Sequence, residues 1–324
     1  MIDLDALARR VASELARADR PLTVGASERG NGRASAVKTG SAVTASSAPA
    51  TRWPSGSAAS SPPGVAFVRE DARMADFIDH TLLRAEATPR DVEQLCDEAL
   101  EHRFAAVCIN PVWVPLCARR LAGSKVRVAT VIGFPLGANN TSSKAAEAER
   151  AAGDGAAELD MVAAIGHIKG GDWVHVADDI AAVVRAAGDR LVKVIIESAA
   201  LTPVEVIKAC ALAREVGAHY VKTSTGFHPA GGATAEAVAL MRLVVGDALG
   251  VKASGGVRDC AAALKMIAAG ATRIGTSSGV AMTKCLGPGP LPLAELLAAP
   301  HAHAHQCVSC SAPSSEPPAT AGPY

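Results

Sequence analysis

Aromatic side chains are scarce in this chain: three Trp, two Tyr and five Phe among 324 residues. A core must therefore be built from Val, Ile, Leu and Ala, the residues that fill parallel strands and the helices covering them. An excess of either charge is also missing, since 32 Lys and Arg face 32 Asp and Glu. Zero formal net charge excludes a general pull toward nucleic acid or anionic membranes, so any anion site must be local. No run approaches the roughly eighteen consecutive apolar residues of a membrane span. The opening Met1-Ile2-Asp3-Leu4-Asp5 lacks a secretory pattern, and its acids argue against a mitochondrial presequence. Six of the eight cysteines, Cys96, Cys108, Cys117, Cys210, Cys260 and Cys285, are scattered through apolar patterns. They read as buried free thiols in a reducing cytoplasm, not as a disulfide framework.

What is present is an ordinary globular composition, 49% apolar and 20% charged. Residues 2–18 place Leu4, Leu7, Val11 and Leu15 on one side of a helix, so segment 1–20 is expected to be an amphipathic docking helix. Residues 21–64 collapse to Ser, Ala, Gly, Thr and Pro and predict a flexible linker. Residues 65–298 form the expected catalytic domain and 299–324 a disordered tail. That tail carries His301, His303, His305, Cys307 and Cys310, which are metal-ligand types, but the surrounding Ala, Ser and Pro offer no core to hold a metal site.

Within 65–298 short apolar runs alternate with helical patterns. Strands are predicted near Phe77 to Leu83, Ala105 to Ile109, Val126 to Ile132, Ala157 to Val162, Leu191 to Glu197, around Lys222, around Lys252, and near Arg273 to Thr276. Thr88-Pro89 and Thr202-Pro203 mark helix starts, with acids in the first turn. Eight strands alternating with helices at this spacing predict parallel pairing, right-handed crossovers and a closed TIM (β/α)8 barrel. An open doubly wound sheet is the fallback, and it would leave the polar strand residues on two distant edges.

Those polar residues carry the chemistry. Tyr220-Val221-Lys222-Thr223-Ser224-Thr225-Gly226 sets a lysine in a β-branched run closed by glycine, and Gly250-Val251-Lys252-Ala253-Ser254-Gly255-Gly256 repeats the pattern. Glu158-Leu159-Asp160-Met161-Val162 puts a carboxylate in a third run. A lone strand lysine ordinarily snorkels to solvent or pairs with an acid. Two amines and a carboxylate on barrel strands instead predict a lysine that loses its proton beside a second ammonium and becomes a nucleophile for carbonyls. Spacing alone permits Lys222, Lys252 or Lys193 as that nucleophile.

These segments, with Arg273-Ile274-Gly275-Thr276-Ser277-Ser278, resemble the deoxyribose-phosphate aldolase family in family order from about Phe77 to Met282. The resemblance implies that Lys222, in Lys-Thr-Ser-Thr-Gly, forms the Schiff base, with Asp160 and Lys252 relaying protons through a water. It also implies reversible retro-aldol cleavage of 2-deoxy-D-ribose 5-phosphate, with no metal or other cofactor, because an iminium does the polarising. Asp79 and His80 resemble an element in which the aspartate holds polar substrate or relay groups; a structural role fits them equally. Glu197 is expected to pair with a lysine, tuning the relay or forming a structural salt bridge. The phosphate is expected on Gly226, Gly255, Gly256, Ser277 and Ser278, after the late strands, where glycine turns backbone N–H groups toward a ligand. Tyr324 at the chain end is a candidate for reaching the site's mouth. The expected partner is a small sugar phosphate and neither nucleic acid nor membrane, with a homodimer left open. Two other readings stay open: a different class I aldolase or transaldolase, and a non-catalytic sugar-phosphate-binding barrel.

Overall fold

The computed structural model describes residues 72–285, together with Ala6. Apart from Ala6, the expected docking helix, the linker and the tail, with Tyr324 and the His/Cys run, lie outside the described residues.

Eight strands close into a barrel in which each pairs in parallel with its sequence neighbours and the last returns to the first. They are β1 (Ile78–Leu82), β2 (Ala106–Ile109), β3 (Arg127–Ile132), β4 (Glu158–Val162), β5 (Leu191–Ile195), β6 (Tyr220–Lys222), β7 (Gly250–Ser254) and β8 (Arg273–Thr276). The open-sheet fallback is thereby excluded. Helices follow where the sequence signals them. Pro89–His102 and Pro203–Glu215 each begin with proline behind a threonine N-cap, and Thr88 with Asp91 and Thr202 with Glu205 form reciprocal capping boxes. The helix Trp173–Ala187 falls where its periodicity predicts it. A six-residue helix, Ile165–Gly170, precedes it and is too short to leave a periodic trace in sequence.

Alternation along the strands builds two unlike interiors. Side chains such as Val107, Ile109, Leu159, Val192, Val194, Val221 and Val251 point outward into one apolar layer shared with the helices. Inside the barrel, above Arg127 at its rim, β2 and β3 offer small or medium apolar groups, Ala106, Cys108, Ala129 and Val131. The rest of the barrel interior is charged: Asp79, Glu158, Asp160, Lys193, Lys222, Lys252 and Arg273 are all buried. Small residues around them make room. A Cβ on Gly275 would approach Lys252 Cε at 3.0 Å and collide with the Ser254 hydroxyl, so the bare backbone of β8 lets the lysine reach across the interior.

One buried ion pair sits outside the barrel. Lys144 on the helix Thr141–Gly153 donates to Asp179 Oδ2 at 2.7 Å and to the Val162 carbonyl at 3.0 Å. Thr141 Oγ1 donates to the other Asp179 oxygen at 3.0 Å. Both charged side chains are fully enclosed, and the pair fixes two helices against the end of β4.

Candidate active site

Register places the reactive groups. Lys222 pairs with Lys252 across β6 and β7, and Asp160 pairs with Lys193 across β4 and β5. All four side chains turn inward and meet. Asp160 Oδ2 accepts from Lys222 Nζ at 2.9 Å and from Lys252 Nζ at 2.7 Å, while Oδ1 accepts from Lys193 Nζ at 2.6 Å. Asp79 accepts from Lys252 and from Arg273. Glu158 closes the lower end of the network against Lys193 at 2.6 Å and Arg273 at 3.3 Å, with Arg127 reaching it from the rim at 3.1 Å.

The three lysines are unequal. Lys193 lies within 4 Å of three carboxylates, Asp160, Glu158 and Asp79. Lys252 touches two, Asp79 and Asp160. Among the described residues Lys222 touches Asp160 alone, and that carboxylate is already shared with both other lysines. Burial penalises every ammonium here. At Lys193 and Lys252 the carboxylates outweigh it and hold the proton on more tightly than usual. At Lys222 burial prevails, helped by the Lys252 cation and opposed by Asp160, and the amine falls below its ordinary 10.5. Sequence reasoning gave the whole effect to Lys252; in the structure desolvation is the larger cause. Exposure separates the lysines too, since Lys222 retains 2% while Lys193 and Lys252 retain none. A nucleophile has to be reached.

The carboxylates go the other way. Burial opposes ionisation of Asp160, but Lys193, Lys222 and Lys252 reverse it and hold the acid well below 3.8. For Asp79 the same penalty is overcome by Arg273, Lys252 and Lys193. Both remain carboxylates at neutral pH, able to accept protons in hydrogen bonds and to orient ammonium groups.

The expected phosphate residues lie on loops after β6, β7 and β8. Gly226, Gly255 and Gly256 have φ of 84°, 85° and 81°, a conformation that favours glycine. A Cβ on Gly255 would come within 3.4 Å of Gly226 Cα and of Ser224 Cβ, so the first two loops touch. Ser277 is exposed and Ser278 half-buried, just before the helix Gly279–Cys285.

Other expectations need correction. Among the described residues Glu197 forms no ion pair with a lysine: both its oxygens accept from the Thr225 backbone N–H, at 3.2 and 3.3 Å, and one also takes the Thr225 hydroxyl at 2.6 Å. Burial raises its acid above 4.5. Its own left-handed backbone (φ 55°) carries it out of the β5 alternation that would have aimed it at the interior lysines. His80 turns away from Asp79 and bonds Glu98 at 2.7 Å. The regular ladder of β6 ends at Lys222, so Thr223 to Gly226 form a loop, not the end of a strand. Sequence reasoning also missed Glu158 and Arg273 as the lower half of the network, because each looks like a strand-end surface charge. Ser224 and Ser254, each two residues beyond a lysine, are buried, with hydroxyls that have no partner among the described residues. The shared Lys-x-Ser spacing was their signal.

A closed parallel barrel whose interior presents a buried lysine of lowered proton affinity beside a network of carboxylates and ammonium groups fits a barrel aldolase of the lysine-dependent kind. The sequence model of the DeoC/LacD family of aldolases matches residues 73–284, and the chain belongs to that family. It is 55% identical over 213 residues to the deoxyribose-phosphate aldolase of Mannheimia succiniciproducens, spanning 66% of this chain and 95% of that protein. Identity to the deoxyribose-phosphate aldolase of Brevibacillus brevis is 58% over 209 residues, 64% of this chain and 94% of that one. The solved deoxyribose-phosphate aldolase of Aeropyrum pernix, described as a tetramer, superposes with a TM-score of 0.62 at 32% identity, covering 66% of this chain and 90% of that one.

Proposed function

We propose that the chain catalyses the reversible retro-aldol cleavage of 2-deoxy-D-ribose 5-phosphate to D-glyceraldehyde 3-phosphate and acetaldehyde through a Schiff base on Lys222, a step of deoxyribonucleotide catabolism. The observation that carries this is the inequality of the three lysines: only Lys222 combines a lowered proton affinity with residual exposure.

The uncharged Lys222 amine adds to the C1 aldehyde, and loss of water from the carbinolamine leaves an iminium. Removal of the C3 hydroxyl proton breaks the bond between C2 and C3. Its electron pair moves into the iminium and forms an enamine, and glyceraldehyde 3-phosphate departs. Protonation of the enamine carbon and hydrolysis of the new iminium release acetaldehyde and the free amine. Lys252 is the ammonium that supplies protons, and Asp160 Oδ2, bonded to both amines, is the path between them. Asp79 holds Lys252 in place from the far side. Gly226, Gly255, Gly256, Ser277 and Ser278 receive the phosphate with backbone N–H groups and hydroxyls. Five buried free cysteines, Cys96, Cys108, Cys117, Cys210 and Cys260, support a reducing cytoplasmic setting.

Incubation with 2-deoxyribose 5-phosphate and borohydride, followed by peptide mapping, tests the assignment. A stable adduct on the Lys222 peptide is the expected result. No adduct, or Lys222→Arg retaining wild-type turnover, overturns it.

A further inference from the structure

The opposite end of the barrel has a cavity of its own. It measures about 1030 Å³ and opens among the first residues of the strands, bounded by Arg127 of β3, Tyr220 of β6, Gly250 of β7 and Arg273 of β8. Lys222 and Lys252 lie two residues further along their strands, with side chains on Asp160 and not in this lining. Six cations line the cavity, Arg73, Arg103, Lys125, Arg127, Arg242 and Arg273, against two carboxylates, Asp76 and Asp247. Some of that charge is committed. Arg73 holds Asp76 at 3.2 Å, Arg127 and Arg273 share Glu158, and Arg242 donates to the Gly270 and Leu249 carbonyls. Arg103 and Lys125 have no carboxylate within 4 Å among the described residues. Arg103 moreover occupies a left-handed helix C-cap (φ 56°), a position that favours glycine.

We propose that this cavity is a binding site for a small polyphosphorylated molecule, distinct from the sugar-phosphate mouth at the other end. A chain with no net charge has here a local surplus of cations converging on one volume, which neighbouring phosphate groups neutralise together. The volume matches that of small-ligand pockets, and Phe77, Phe104 and Leu249 provide an apolar wall for the remainder of the molecule. The site is joined to the catalytic amine by an unbroken series of ion pairs, Arg273 to Asp79, Asp79 to Lys252, Lys252 to Asp160, and Asp160 to Lys222.

Inorganic tripolyphosphate is the probe, titrated calorimetrically into the full-length protein at low ionic strength. The expected result is one site per chain whose Kd rises at least tenfold in an Arg103→Gly, Lys125→Ala double variant. Glycine suits the left-handed position and Lys125 is exposed, so this variant is expected to fold, and unchanged turnover checks that it has. Ser277→Asp, which adds a negative charge at the opposite mouth, is expected to leave the Kd unchanged. Absence of binding overturns the proposal, as does binding indifferent to the double variant or weakened by Ser277→Asp.

Discussion

Replacing Lys252 by methionine separates the two roles proposed for this one cation, proton supply and electrostatic tuning of Lys222. Lys252 and Lys222 donate to the same oxygen of Asp160, so their Nζ atoms are close neighbours in a water-excluded interior. Two like charges some 5 Å apart repel by about 3 kcal/mol at an effective dielectric near 20. Removing Lys252 lifts that repulsion and also leaves Asp160 Oδ2 to Lys222 alone. Both changes favour protonated Lys222, so the sign is unambiguous. Three kcal/mol corresponds to roughly a hundredfold change in a protonation equilibrium. The ratio of uncharged to charged Lys222 at a given pH should therefore fall by about two orders of magnitude.

The assay is the rate of borohydride-trapped adduct formation as a function of pH. Loss of a proton relay lowers the plateau of that profile, whereas loss of electrostatic tuning moves its acid limb. The expected outcome for Lys252→Met is an acid limb displaced toward alkaline pH, with much of the lost rate recovered when the pH is raised. An acid limb at the wild-type position, or displaced toward acid, refutes the claim that Lys252 weakens the hold of Lys222 on its proton.

Asp160→Asn should lower turnover by about 10²- to 10⁴-fold, the usual contribution of a positioned proton-transfer group. It should also destabilise the barrel by about 3–5 kcal/mol in denaturant titration, because the buried ammonium groups of Lys193 and Lys252 lose a counterion and the Lys222 amine its acceptor. Asp179→Ala should cost a similar about 3–5 kcal/mol by stranding Lys144, while kcat/KM of the folded fraction stays within a few-fold of wild type. A large loss of kcat/KM would show that this pair serves the site as well as the helices. Thermal melts against pH should show stability falling from about pH 4 downward. Asp79, Glu158 and Asp160 are all held below their ordinary 3.8 or 4.5, so the stability they contribute is present above those values and lost as the pH drops through the folded ones. Glu158→Gln, Asp79→Asn variants that still fold should flatten that acid slope.

Local chemistry made much of this readable in sequence. The threonine-proline helix starts at Thr88 and Thr202 are decided by residues three or four apart, and the structure has both. The alternation of eight strands with helices leaves only the choice between an open sheet and a closed barrel, and the convergence of Lys222, Lys252 and Asp160 required closure. What escaped was set by register between distant strands. Nothing local to Glu158 or Arg273 says that they meet, since they lie 115 residues apart and depend on barrel closure and strand stagger. Lys193 could be named as a candidate but not ranked, because its three carboxylate neighbours come from β1 and β4. Glu197 failed differently. The pairing assumed that β5 continued, and one left-handed residue ended the alternation.

The interior charges also connect folding to reactivity. Three carboxylates, Asp79, Glu158 and Asp160, face four cations, Lys193, Lys222, Lys252 and Arg273, in a space with almost no exposure. Full ionisation would leave one positive charge in excess in the barrel, an expensive arrangement away from water. The charge most cheaply given up belongs to the cation with the fewest carboxylate contacts, and that is Lys222. Arg127, half exposed, screens Glu158 from the rim without adding a fully buried charge. Lowering the proton affinity of the Lys222 amine is thus the least costly way to relieve the excess charge in the network that fills the barrel. The same reasoning predicts that adding an acid beside Lys222, as in Ser224→Asp, restores the missing counterion. Such a variant should hold the lysine protonated, move the acid limb of adduct formation toward alkaline pH, and lower trapping at neutral pH even with Lys252 and Asp160 intact. Wild-type trapping in a folded Ser224→Asp protein would mean that the charge balance of the interior does not control the amine.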